Sequence, residues 1–162
     1  MTRPVPDLAQ SWCALSTLHD RIEAHIERAL QAEHALSARE FSVLTVLDQQ
    51  PEGEENDHFR MNELADALSL SQSATTRLVN RLEDRGLLSR FLCHTDRRGI
   101  YTDVTDEGRR LLAKARPTND AALSEALAEA ERRPVLAPLV EAVRALDARP
   151  TPTREPRPAD EH

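Results

Sequence analysis

The amino-acid sequence predicts a mainly α-helical protein with one small β-wing, and three observations carry that prediction. Aromatic residues make up 3% of the 162 and Gly only four, while Ala, Leu and Glu, all good helix formers, are frequent. Apolar residues recur at three- and four-residue steps near both ends of the chain, the period of one helix face. Between them, Gly86 stops a helical run, and two short apolar segments follow around an Arg-bearing turn, the order of a hairpin. A chain of this length suits one domain with a true core.

Residues 1–7 hold two Pro and are expected to form a flexible arm. Leu8, Trp12, Leu15, Leu18, Ile22, Ile26 and Leu30 then share one face of a helix of about six turns. That apolar edge is longer than a small domain covers alone. A second helix starts near Ser37, where SARE fits a capping box, and carries Phe41, Leu44 and Leu47. Pro51 to His58 reads as an acidic loop, and Phe59-Arg60-Met61 as a brief third strand beside the hairpin.

Leu64, Ala65 and Leu68 give a short helix a small apolar face, and Ser71 is a good N-cap for the next. In that next helix Leu78 and Leu82 point to a core, with Thr75 beside them in a structural role. Gln72, Ser73, Thr76, Arg77 and Asn80 are left on other faces. Gly86 stands where a C-cap belongs. Leu87 to Leu92 and Ile100 to Val104 form the two strands, with His94 to Gly99 as the tip. Thr105 caps a further long helix containing Leu111, Leu112, Leu123 and Leu127, in which Pro117 predicts a kink or restart. Pro134 opens a last helix with Val135, Leu139, Val143 and Leu146 on one side. Residues 148–162 are Pro-rich and charged and are expected to be a disordered tail.

Residues 64–105 thus follow the order of a winged helix-turn-helix, which places one helix in a DNA major groove and a hairpin beside it. The run SQSATTRLVNRLEDRGLLSR, followed by DRR and then VTDEG, resembles the MarR family of bacterial transcriptional regulators. Gly86-Leu87-Leu88 closes the second helix, Asp96-x-Arg98 marks the wing, and Val104-Thr105-x-x-Gly108 starts the next helix. The resemblance covers roughly residues 8–147. It implies a winged helix-turn-helix DNA-binding domain over 36–104, flanked by N- and C-terminal dimerisation helices over 8–35 and 105–147. A twofold dimer presents two reading helices about 34–36 Å apart and calls for a palindromic operator in double-stranded DNA.

The net charge of −7 argues at first against a nucleic-acid partner, but its distribution matters more. Between Ser71 and Arg98 six Arg (77, 81, 85, 90, 97 and 98) stand against three acids, Glu83, Asp84 and Asp96. A basic reading surface on an acidic body limits indiscriminate DNA coating. On the reading helix, Ser71 and Gln72 sit where a helix N-terminus meets phosphate. Gln72 and Ser73 also have the donors and acceptors to reach base edges, and Thr76 offers a hydroxyl or a methyl. Arg77 is suited to a bidentate contact with guanine, and Asn80 and Arg81 complete the candidate face. On the wing, Asp96 is placed to hold Arg98 by a charge-assisted hydrogen bond. The resemblance implies that Arg98 enters the minor groove, while Arg97 touches phosphate or solvent.

The resemblance further implies a small anionic or phenolic effector between the dimer helices and the DNA module. Trp12, His19, Arg39 and Phe41 are the candidate lining. Cys13 lies where hydroperoxide-sensing members of the family carry a reactive Cys. The tyrosines those sensors use nearby are missing, Tyr101 being out on the wing, so Cys13 reads as filler packed beside Trp12. A thiol-based repressor remains the alternative. The six His are scattered and the two Cys unpaired, so neither a metal nor another cofactor is expected, although His19 and Glu23 stand one helical turn apart.

An enzyme is disfavoured, because no nucleophile, base or Gly-rich phosphate loop converges. A winged helix turned to protein–protein contacts would be expected to replace Arg77 and Arg98 with neutral groups, and both are present. No run of 18 apolar residues or leader-like segment occurs, so a cytoplasmic, nucleoid-associated protein without membrane contact is expected. The sequence reading is therefore a homodimeric, ligand-released repressor.

Overall fold

In a computed structural model of the protein, residues 7–50, 58–92 and 100–146 are described, as six helices and one hairpin. The expected flexible arm before Asp7, most of the acidic loop, Cys93, the wing tip His94 to Gly99 and the tail 148–162 lie outside the described residues.

Helix α1 (Leu8–His34) begins at Asp7, whose carboxylate accepts the Ala9 N–H at 3.2 Å. It ends at Ala35, held in the left-handed region at φ 50°. Helix α2 (Ala38–Asp48) opens with the expected capping box: Ser37 Oγ accepts the Glu40 N–H at 3.0 Å, and Glu40 Oε2 accepts the Ser37 N–H at 2.9 Å. Helix α3 (Met61–Ala67) corrects the expectation of a third strand over Phe59–Met61. Only Arg60 pairs with the hairpin, as a single antiparallel bridge to Tyr101. Glu63 takes the Arg60 N–H at 2.9 Å, which makes Arg60 the N-cap, and the chain turns helical at Met61.

Helix α4 (Gln72–Asp84) starts on Ser71, whose hydroxyl accepts the Ala74 N–H at 3.2 Å. It ends in a Schellman arrangement. The Leu87 N–H donates to Leu82 O and the Gly86 N–H to Glu83 O, both at 2.9 Å, with Gly86 at φ 74°. Strands β1 (Leu88–Leu92) and β2 (Ile100–Val104) pair antiparallel, from Leu88 opposite Val104 to Leu92 opposite Ile100. Tyr101 stacks on Phe91 at 6.0 Å, and His58 meets the edge of Phe91 at 5.3 Å. Tyr101 belongs to the wing strand, yet only 1% of it is exposed.

Helix α5 (Asp106–Glu131) follows at once, capped by Thr105. It runs through Pro117 as one helix, so the predicted restart does not occur. Tertiary packing accounts for this. Helix α1 lies along α5 more extensively than any other pair of helices, Ala115 and Ala122 are buried on either side of the Pro, and His34 Nε2 meets Thr118 Oγ1 at 2.8 Å. Helix α6 (Ala137–Ala145) starts later than predicted, with Pro138 in its first turn and not Pro134. Its buried side differs in part: Leu136 and Val140 are buried and Leu139 is half-buried, as expected of Leu139, while Val135, Val143 and Leu146 are exposed.

Two apolar clusters result. The larger joins Ile26 and Leu30 of α1 to Val43, Leu44 and Leu47 of α2, Leu64 of α3, Leu78, Val79 and Leu82 of α4, the hairpin base and Leu112 of α5. The smaller joins Leu18, Leu127, Ala130, Leu136 and Val140. Ile22 and Leu123 pack against both.

Candidate nucleic-acid interface

The period of α4 decides which of its residues are available. Thr75, Leu78, Val79 and Leu82 are buried against the larger cluster, and the Thr75 hydroxyl donates back to Ser71 O at 3.0 Å. Thr75 is thus structural, as its spacing predicts, while Val79 extends the buried stripe beyond Leu78 and Leu82. Ser71, Gln72, Ser73, Arg77, Asn80 and Arg81 are exposed, and Thr76 is half-buried with its hydroxyl donating to Gln72 O at 2.9 Å. The residues singled out on the reading helix therefore lie away from its buried stripe. The first turn also carries backbone N–H groups without intrahelical partners, so its positive end favours an anion there.

Electrostatics divide the arginines. Arg81 Nε lies 3.4 Å from Glu40 Oε1, and Arg85 Nη1 lies 3.4 Å from Glu40 Oε2. Arg90 pairs with Glu83 at 2.9 Å and donates to Asn80 Oδ1. Arg77 has no ion pair among the described residues and stays free for an outside acceptor. The Arg90 contact fixes the carbonyl oxygen of Asn80, leaving its amide N–H groups as the donors to a base or phosphate. Asp96, Arg97 and Arg98 lie outside the described residues.

The joint between the reading helix, the wing and α5 is close-packed. Thr105 Oγ1 donates to Gly86 O at 2.7 Å, its N–H donates to Leu87 O at 3.1 Å, and the Gly108 N–H donates to Thr105 Oγ1 at 3.1 Å. A Cβ on Gly108 would stand 2.2 Å from Leu87 O. Charge ties the same region together: Arg109 reaches Asp48 at 3.6 Å and Asp103 at 3.4 Å, and Arg116 reaches Asp48 at 2.8 Å. Helix α2, strand β2 and α5 are thus pinned to one another behind α4.

The candidate effector residues lie on two helices, α1 and α2. Trp12, His19 and Arg39 are exposed, with His19 Nδ1 3.3 Å from Asp20, and Phe41 packs against the larger cluster. A cleft of about 560 Å³ opens between α1 and the α5–α6 turn, and none of the four lines it; Gln10, Cys13, Thr17, Arg133 and Leu136 do. Cys13 is exposed there, not packed as filler. Among the described residues no group of three or more His, Cys, Asp or Glu is placed to hold a metal ion. Nor is any described helix long and apolar enough to cross a membrane.

These features agree with what the chain is similar to. The profile described as "MarR family" matches residues 36–100, from the turn before α2 to the start of β2. The HTH-type transcriptional regulator PecS of Dickeya dadantii is 32% identical over 111 residues, 66% of this chain and 64% of PecS, so the matched part spans less than two thirds of that protein. Among solved structures, Sco3205 of Streptomyces coelicolor, a MarR family transcriptional regulator in complex with DNA, is 25% identical. It superposes with a TM-score of 0.68 over 88% of this chain and 92% of that one. CouR of Rhodococcus jostii, bound to p-coumaroyl-CoA, is 30% identical, with a TM-score of 0.60 over 80% of this chain and 83% of that one. The winged helix and these likenesses define the class, and this chain belongs to the MarR family. Its homologues are transcriptional regulators and not enzymes.

Proposed function

We propose that this protein is a sequence-specific DNA-binding transcriptional regulator, a cytoplasmic homodimer that represses from a palindromic operator and is released by a small anionic or phenolic effector. One observation carries the reading: α4 is anchored by four buried residues and presents Gln72, Ser73, Arg77 and Asn80 outward, with Arg77 free of ion pairs among the described residues. The likeness to Sco3205, solved with DNA, supports it. In this reading the first turn of α4 grips phosphate, Arg77 reads a base edge, and Asp96 braces Arg98 at the minor groove with Arg97 on the backbone.

Dimerisation is supported by the apolar surface left at one end. Leu8 (83% exposed), Trp12 (66%), Val135 (71%) and Leu146 (74%) are large apolar residues that one chain leaves in water. The likeness to CouR, solved with p-coumaroyl-CoA, supports an effector. Its site is assigned to Trp12, His19, Arg39 and Phe41, three of which are exposed in one chain and need a second copy to enclose them.

Selection of sites from random duplex DNA with the purified protein tests the proposal; the expected product is a palindrome with half-sites one helical turn apart, and no enriched sequence would overturn it. Arg77→Ala should weaken binding to that palindrome by about 1–3 kcal/mol and leave random DNA nearly unaffected, whereas equal losses would make Arg77 a phosphate contact. A second reading, thiol sensing, is favoured by the exposure of Cys13 at the cleft. There a hydroperoxide would release the wild-type protein from DNA and leave Cys13→Ser bound; identical responses would eliminate it.

A further inference from the structure

We propose that Glu40 is a positioning residue for the reading helix: it holds Arg81 and Arg85 in one arrangement for the operator and lowers their pull on unrelated DNA. The inference rests on the DNA-binding reading above. Glu40 is 7% exposed, on α2, a helix with no reading role of its own. Its capping duty uses one carboxyl oxygen, on the Ser37 N–H, and a neutral Gln performs that duty as well. A carboxylate buried this far needs cationic partners, and they come from α4: Arg81 Nε beside one oxygen and Arg85 Nη1 beside the other.

The chemistry of the pairing leaves Arg81 usable. Contact through Nε leaves both terminal nitrogens free to donate, and its side chain is 60% exposed against 35% for Arg85. An unbraced Arg must be ordered when it meets a phosphate or base, whereas a braced one is already in place. One buried negative charge behind two positive ones also halves the local surplus that would draw in any duplex. Orientation helps the operator alone, while charge acts on every sequence. Glu40 therefore acts on selectivity more than on affinity.

The test uses the full chain, first to select its operator and then to measure binding to that operator and to an unrelated duplex of equal length. Glu40→Gln keeps the cap and removes the charge. It should bind the operator about tenfold more weakly, the scale of a lost charge-assisted contact, and the unrelated duplex as well or more tightly. Glu40→Asp keeps the charge but shortens the reach, and should lose operator affinity with no gain on the unrelated duplex. In an Arg81→Ala, Arg85→Ala background, Glu40→Gln should have no further effect on the operator. The proposal is overturned by equal losses on both duplexes, by unchanged binding, or by an effect that persists in full without the two Arg. A wild-type chain that selects no sequence would refute the function itself, before any variant is made.

Discussion

Replacing Gly108 by Ala tests the joint between reading helix, wing and α5. The added methyl would stand 2.2 Å from the Leu87 carbonyl oxygen and 2.7 Å from Val104 Cγ1. The first of these is backbone, already accepting the Thr105 N–H, so relief requires α5 to move off the loop after α4. Overpacking of this kind costs about 1–3 kcal/mol, and weakening the Thr105–Leu87 bond costs about 1 kcal/mol more. Against that, Ala is better than Gly in a helix by about 1 kcal/mol. The net loss is about 1–3 kcal/mol, or roughly 2–12 °C in Tm for a domain of this size. Gly86→Ala is the control, because it meets nothing within 4 Å and suffers only from φ 74°; its cost is about 1–2 kcal/mol for a left-handed non-Gly residue. The two differ in where the damage falls. Gly108→Ala should also reduce operator affinity beyond what its stability loss explains, since it shifts the wing relative to α4. Calorimetry and operator titration on both variants decide this: a Gly108→Ala protein with unchanged Tm and unchanged operator binding would refute the close-packing argument.

Two further outcomes follow from exposure and backbone geometry. Trp12→Glu alters a side chain that is 66% exposed, so it should give a folded monomer by sedimentation, whereas Ile22→Glu should unfold the chain because Ile22 packs on both clusters; a Trp12→Glu dimer would move the interface elsewhere. Ala35→Gly should raise stability by about 0.5–1 kcal/mol in denaturant titration, because it removes the cost of φ 50° and concedes part of that to unfolded-state entropy; a loss would show that the left-handed turn carries no strain.

Much of this architecture was readable because its signals are local. Ser37, Ser71 and Thr105 cap helices within three residues of themselves, and Gly86 stops α4 by a conformation only Gly takes cheaply. The exposed side of α4 follows from its period. What failed depends on neighbours distant in sequence. Pro117 is tolerated because α1 covers the helix around it, and the face of α6 is set by Leu18 and Leu127, which no period within α6 can reveal. Glu40 was legible as a capping residue, but its grip on Arg81 and Arg85 joins α2 to α4 and leaves no trace in spacing. Trp12, His19, Arg39 and Phe41 belong to two helices, α1 and α2, and enclosing them takes a second copy that no spacing encodes.

The pair Ile22 and Leu123 has a mechanical consequence. Each is shared between the cluster at the terminal helices and the cluster beneath the reading helix. Close-packed interiors have little compressibility, so a displacement of one cluster is not absorbed locally. A cavity or a charge introduced at Ile22 or Leu123 therefore disturbs both clusters at once. The two ends of the protein are therefore one piece of packing, and neither cluster can be loosened at this pair without loosening the other.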